Sequence, residues 1–167
     1  MSEDSAPGLP TPGPEHKLLE PFEGTFRAQV TIYMGPDQTQ QSTGTMINRF
    51  EVDGLYLHQD YQGDPNEGPF PKFVGKGYWG FNTATKQYEG FWIDNASTMM
   101  QMETGAVSAD GKTWEMKSSF THPQTGKEML KRSVIELLDK DRHVMTSYFG
   151  ESEASEAKTM EIQYSRV

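Results

Sequence analysis

The sequence predicts an all-β fold: a single antiparallel up-and-down β-barrel of about ten strands, preceded by a short N-terminal helix. Three observations carry this. From Phe22 onward hydrophobicity alternates with a period of two, the signature of half-buried strands. Turn residues then recur at short, nearly regular intervals, leaving no stretch long enough for the crossover helix that parallel neighbours need. The apolar side chains, finally, are rings and thioethers more than aliphatics, with 9 Phe, 7 Tyr, 3 Trp and 10 Met among 167 residues. Leu, Ile and Val are scarce, which suits a curved single-layer wall around a cavity better than a dense two-layer core.

The first 14 residues hold four prolines, two glycines and no aromatic ring. Such a stretch buries too little apolar area to offset its ordering entropy, so residues 1–13 are expected to form a disordered tail and residues 14–167 the domain. Pro14 suits the first position of a helix, which Pro21 stops after one or two turns. Leu18 and Leu19 on that helix would dock on, or plug, whatever follows.

In the first strand Phe26, Ala28, Val30, Ile32 and Met34 share a face until Gly35, Pro36 and Asp37 break it. Met46, Asn48, Phe50 and Val52 alternate in the second, which ends at Asp53-Gly54, a pair that supplies the positive φ of a tight hairpin. A third strand runs over 55–61, and the long loop over 62–71 carries three prolines and two glycines. Seven more strands are expected near 72–82, 86–94, 98–107, 112–121, 127–138, 142–149 and 157–166. Their connections carry recognisable turn chemistry, as in Asn82-Thr83-Ala84-Thr85, Ala109-Asp110-Gly111 and Pro123-Gln124-Thr125-Gly126. Ten meandering strands either stay open, pack as a sandwich or close. Sandwiches usually need a long Greek-key excursion, and closure alone removes the exposed edges, so a barrel is preferred. At ten strands it is too wide to be filled by its own side chains and should hold a cavity.

Charge and composition exclude several function classes. The 15 Lys plus Arg against 24 Asp plus Glu give a net charge of -9, which repels phosphate backbones and anionic lipid; neither nucleic acid nor a membrane is an expected partner. No apolar run approaches the roughly 20 residues of a membrane helix, and no secretory signal opens the chain, so a cytoplasmic protein is expected. The absence of cysteine removes disulfides, thiolate catalysis and Cys-ligated metal.

Gly75-Lys76-Gly77-Tyr78-Trp79-Gly80 matches a dinucleotide fingerprint letter for letter, but it sits inside an aromatic strand with no helix after it. The glycines are better read as letting a ring, from Trp79 or Trp92, press on the backbone. Tyr56, Tyr78, Trp79 and Trp92 belong to an aromatic group that either fills the barrel or lines a pocket in it. Asp94 shares a face with Trp92, and would hold a ligand amine or hydroxyl at the pocket rim; alternatively Asp94 and Ser97 accept backbone N–H bonds in the turn. The four histidines show no metal-binding spacing. His58 becomes a ligand contact or an acid–base group if its face is the lumen, whereas His122 and His143 read as solvated. Arg132, between Leu130 and Val134, is the candidate anchor for an anionic ligand group.

Two stretches also carry a family likeness. Pro14-Glu15-His16, then Leu18-Leu19, then Gly24-Thr25-Phe26 is similar to the short leading helix and G-x-W opening of calycin barrels, the group that contains lipocalins and fatty-acid-binding proteins. Gly77-Tyr78-Trp79-Gly80-Phe81-Asn82, Lys86-Gln87-Tyr88 and Trp92-Ile93-Asp94-Asn95-Ala96-Ser97-Thr98 resemble the G-Y-D, K-x-Y and W-x-D-S-x-S-T segments of a bacterial family of calycin-like domains of unknown function. Phe26, Asn82 and Asn95 depart from those patterns, replacing a tryptophan, an aspartate and a serine. The resemblance implies a lipocalin-type barrel over nearly the whole chain after the tail, and no activity.

Three functions fit these readings. The first is a barrel binding a small, largely apolar molecule through Tyr56, His58, Tyr78, Trp79, Trp92, Asp94 and Arg132. The second is an enzyme on the same barrel that uses Asp94 or His58 as acid–base group. The third is an interaction module whose lumen is filled by its own side chains. No catalytic residue, metal or cofactor is assigned, the expected partner is a small hydrophobic molecule, and pairing of two barrels is left open.

Overall fold

The computed structural model describes residues 8–167; the tail expected over 1–13 lies largely outside the described residues. Helix α1 (Pro14–Lys17) begins with Pro14 at the position where a missing N–H costs nothing. The Gly13 N–H donates to His16 Nδ1 at 3.1 Å, and a 3₁₀ turn over Glu20–Phe22 follows. Leu19 and Phe22 are buried while Leu18 stays partly exposed, so of the two leucines it is Leu19 that plugs.

Ten strands follow among the described residues: β1 (Gly24–Gly35), β2 (Gln38–Glu51), β3 (Tyr56–Gly63), β4 (Val74–Asn82), β5 (Gln87–Asp94), β6 (Gln101–Val107), β7 (Thr113–Thr121), β8 (Glu128–Leu137), β9 (Arg142–Gly150) and β10 (Ala157–Arg166). Each is antiparallel to its chain neighbour, and β1 also pairs with β10 to close the barrel, from Phe26 opposite Arg166 to Ile32 opposite Met160. Strand β2 begins at Gln38, well before its apolar alternation is visible, because residues 38–43 are Gln, Thr and Ser that still pair with β1. No helix among the described residues is long and apolar enough to cross a membrane.

Antiparallel order puts α1 and the hairpins after β2, β4, β6 and β8 at one end. That end is closed. Leu19, Phe22, Leu57, Trp79, Tyr88 and Trp114 belong to one continuous core there. The Tyr88 hydroxyl donates to the Glu15 carbonyl at 2.9 Å, tying α1 down. Arg166 donates to the carbonyls of Pro21, Glu23 and Lys140 and pairs with Asp141 at 3.2 Å, fastening the β8–β9 turn to the 3₁₀ segment. Asp53 and Gly54 adopt the positive φ values of 57° and 82° that the hairpin requires. In the turn after β4, Asn82 Oδ1 accepts the N–H groups of Ala84 and Thr85, and its Nδ2 donates to Glu89, a bond aspartate would lack. The opposite end is ringed by longer loops, including 64–73 and 95–100, and gives access to the lumen.

Candidate ligand cavity

Between the closed-end core and the open-end loops the lumen holds a cavity of about 440 Å³. Trp79 and Ile135 lie toward its floor, Val30, Ile162, Met145 and Trp92 along its walls, and Phe70, Phe73 and Met99 at its rim. The register explains why Trp92 reaches inward. On β4, Gly77 stands opposite Trp92 and Gly75 opposite Asp94, so the indole extends over two residues without side chains. A Cβ at Gly75 would meet Trp92 Cζ2 at 2.2 Å and one at Gly77 would meet Cε3 at 2.8 Å. The glycine-rich segment is therefore a seat for a ring within β4, with no helix after it.

Trp92 is held in turn. Its Nε1–H donates to Asp94 Oδ2 at 2.9 Å, while Asp94 Oδ1 accepts the Ala96 N–H at 3.0 Å. Asn95 staples the rim: its Oδ1 accepts the Val74 N–H and its Nδ2 donates to the Lys72 carbonyl, fixing the end of the 64–73 loop. Ser97, also in the cavity wall, accepts the Met99 N–H at 3.3 Å.

A polar group begins beside Trp92, whose register partner on β6 is Gln101. Lys131 Nζ donates to Gln101 Oε1 at 3.1 Å and lies 3.7 Å from Glu103 Oε2, which also accepts the Ser133 hydroxyl at 3.3 Å. The Lys131 side chain is 15% exposed, and its pairing with Glu103 offsets part of the cost of holding charge in a largely apolar lumen. Nearer the floor His143 stacks on Tyr164 with ring centroids 4.4 Å apart, and Phe22 and Phe26 pack edge-on against it. Burial, aided by the Arg166 charge, lowers the His143 pKa to about 3, so the ring is neutral. Tyr61 has its pKa raised by burial, with a smaller push from Asp64, to about 12, and burial drives Tyr164 further in the same direction.

The residues singled out from sequence fall into two sets. Trp79, Trp92 and Asp94 contribute to the cavity wall, whereas Tyr78, one residue out of phase with Trp79 on β4, projects outward, its hydroxyl donating to Glu51 at 2.9 Å and its ring 4.9 Å from His58. Tyr56, His58 and Arg132 lie on the outer face. Tyr56 is 44% exposed and packs on Gly80. His58 is buried beneath Tyr78, 3.5 Å from Glu51 Oε1. Arg132 pairs with Glu156 at 2.6 Å and stacks over Tyr148. The apolar face that Arg132 shares with Leu130 and Val134 is the barrel's exterior, and the lumen-facing cation is its neighbour Lys131. Sequence reasoning also missed Tyr61, Glu103, His143 and Tyr164. His143, expected from sequence to be solvated, lies inside because it alternates with Met145, Ser147 and Phe149, all of which line the cavity.

The chain belongs to the family described as a protein of unknown function, DUF1579, whose model matches residues 11–166. No curated protein matches it. Among solved structures it is similar to Rv2717c from M. tuberculosis, with a TM-score of 0.64 at 13% identity over 93% of this chain and 98% of that one. It is also similar to the S-type phycobiliprotein lyase CPES from Guillardia theta, with a TM-score of 0.63 at 10% identity over 90% and 91%. At these identities the likeness is one of fold.

Proposed function

We propose that this DUF1579 barrel is calycin-like and binds a small, largely apolar molecule in its lumen. The observation that carries the reading is the cavity itself: about 440 Å³, lined mainly by aromatic and aliphatic side chains with a few placed polar groups, within the size and character usual for small-molecule sites. A lumen filled by its own side chains, the alternative of a pure interaction module, would leave no such volume. Trp79 and Trp92 form apolar walls for the ligand, and Asp94 sits at the rim with both carboxylate oxygens already accepting N–H groups, so it orients Trp92 more readily than it abstracts a proton.

The test is a titration of intrinsic tryptophan fluorescence with fatty acids, retinoids and haem, together with mass spectrometry of what co-purifies under native conditions. A saturable change at one molecule per barrel supports the reading. No response to any compound, with nothing co-purifying, contradicts it.

A further inference from the structure

The lining of the lumen says more about the ligand than its size does. Tyr61 and Tyr164 are 4% and 5% exposed and both line the cavity. Neither hydroxyl has a hydrogen-bond partner among the described residues, unlike those of Tyr78 and Tyr88. Neither phenol oxygen is among the fully buried unpartnered atoms, and both residues line the cavity, so each hydroxyl stands open to the lumen with its donor free for a molecule inside it. The wall between them is cut to fit. Gly44 carries the Tyr61 hydroxyl directly over its backbone, where a Cβ would lie 2.3 Å from the oxygen, and Ala28 separates Gly44 from Tyr164 in the register.

The charges decide which partner fits. Among the lysines and arginines only Lys131 lines the cavity, and Gln101 and Glu103 already occupy it. Arg132 and Arg166 are engaged elsewhere, with Glu156 and with the closed-end carbonyls. The remaining ionised groups of the lining are the carboxylates of Glu103 and Asp94. A ligand carboxylate would lose its water and meet two negative charges and one committed ammonium.

Resting on the reading of the lumen as a ligand site, we propose that the barrel selects a neutral apolar molecule ending in a hydrogen-bond-accepting oxygen, such as a carbonyl, which the Tyr61 and Tyr164 hydroxyls hold, and that it discriminates against the corresponding carboxylate. Both phenols stay protonated, and so remain donors, across the physiological range, because burial raises their pKa.

Three compounds with one aromatic body test this by calorimetry: 2-acetylnaphthalene, 2-naphthoate and 2-ethylnaphthalene. The ketone is expected to bind about tenfold tighter than either of the others. The Tyr61→Phe/Tyr164→Phe variant should lose about that tenfold for the ketone and bind the hydrocarbon unchanged, as expected for lost hydrogen bonds; an unaltered thermal transition of the variant separates this from misfolding. Naphthoate binding as tightly as the ketone, or ketone affinity indifferent to the two hydroxyls, overturns the inference while leaving the ligand cavity standing. Binding of none of the three overturns both.

Discussion

The benzo ring of Trp92 occupies the space that a side chain at Gly75 would need, with Cζ2 2.2 Å from where a Cβ would stand. The contact joins sequence to cavity: a strand glycine, unfavourable for pairing by itself, is what allows a large ring to lie along the wall. Gly75→Ala forces the indole off its seat and away from Asp94. Urea unfolding should show a loss of about 1–3 kcal/mol, the usual range for overpacking, with altered tryptophan fluorescence. A variant as stable as the parent with an unmoved spectrum would contradict this packing.

The neutral His143 makes acid stability predictable in sign. Its pKa is about 3 in the folded chain against an ordinary value near 6.5. Between the two, the unfolded chain binds a proton that the folded chain refuses, so stability falls as pH drops. The slope approaches about 1.4 kcal/mol per pH unit for a single group. The window from pH 6.5 down to 5 lies above the range where carboxylates titrate, and there His143→Gln should flatten the profile. Equal slopes for parent and variant in urea titrations at pH 7, 6 and 5 would show that the ring is not buried uncharged.

Asn95 fixes the rim with two hydrogen bonds to the backbone of residues 72 and 74. Asn95→Ala should cost about 1–2 kcal/mol, and amide exchange at Val74 should quicken while that of Trp114, deep in the closed end, does not. Unchanged exchange at Val74 would mean that the staple carries no strain from the loop.

Arg132 and Lys131 are adjacent and face opposite sides of the wall. Arg132→Ala removes an exterior ion pair and should cost no more than about 1 kcal/mol, leaving the affinity for 2-acetylnaphthalene as it was. Lys131→Ala uncovers Glu103 inside the lumen and should lower both stability and affinity. Calorimetry on the two variants distinguishes them, and a larger effect of Arg132→Ala on affinity would reverse the assignment of faces.

Most of the fold was legible because strands and turns announce themselves locally. Asp53-Gly54, Asn82-Thr83-Ala84-Thr85 and the alternation through Phe26, Ala28 and Val30 each needed only their own neighbourhood. The polar start of β2 was not legible, since residues 38–43 are held by pairing with β1 rather than by an apolar face. Which face is the lumen is a property of the whole ring of strands. Rings stand on both sides of the wall: Trp79 and Trp92 inside, Tyr56 and Tyr78 outside. For this reason His58 was undecidable and Arg132, flanked by apolar residues, pointed the wrong way. Tyr61 and Tyr164 were hidden for a different reason. They lie far apart in sequence, and only closure of β1 on β10 sets them on one wall with Gly44 and Ala28 between.

Uptake of a ligand into the lumen should be visible at the indole N–H signals of the three tryptophans. Trp79 and Trp92 line the cavity, whereas Trp114 is fully buried in the closed-end core and serves as an internal control. In an ¹H–¹⁵N titration with 2-acetylnaphthalene, the Trp92 signal should shift saturably, that of Trp79 by less, and that of Trp114 not at all. If all three remain in place up to the solubility limit of this ketone and of retinol, the cavity is not a binding site for apolar molecules.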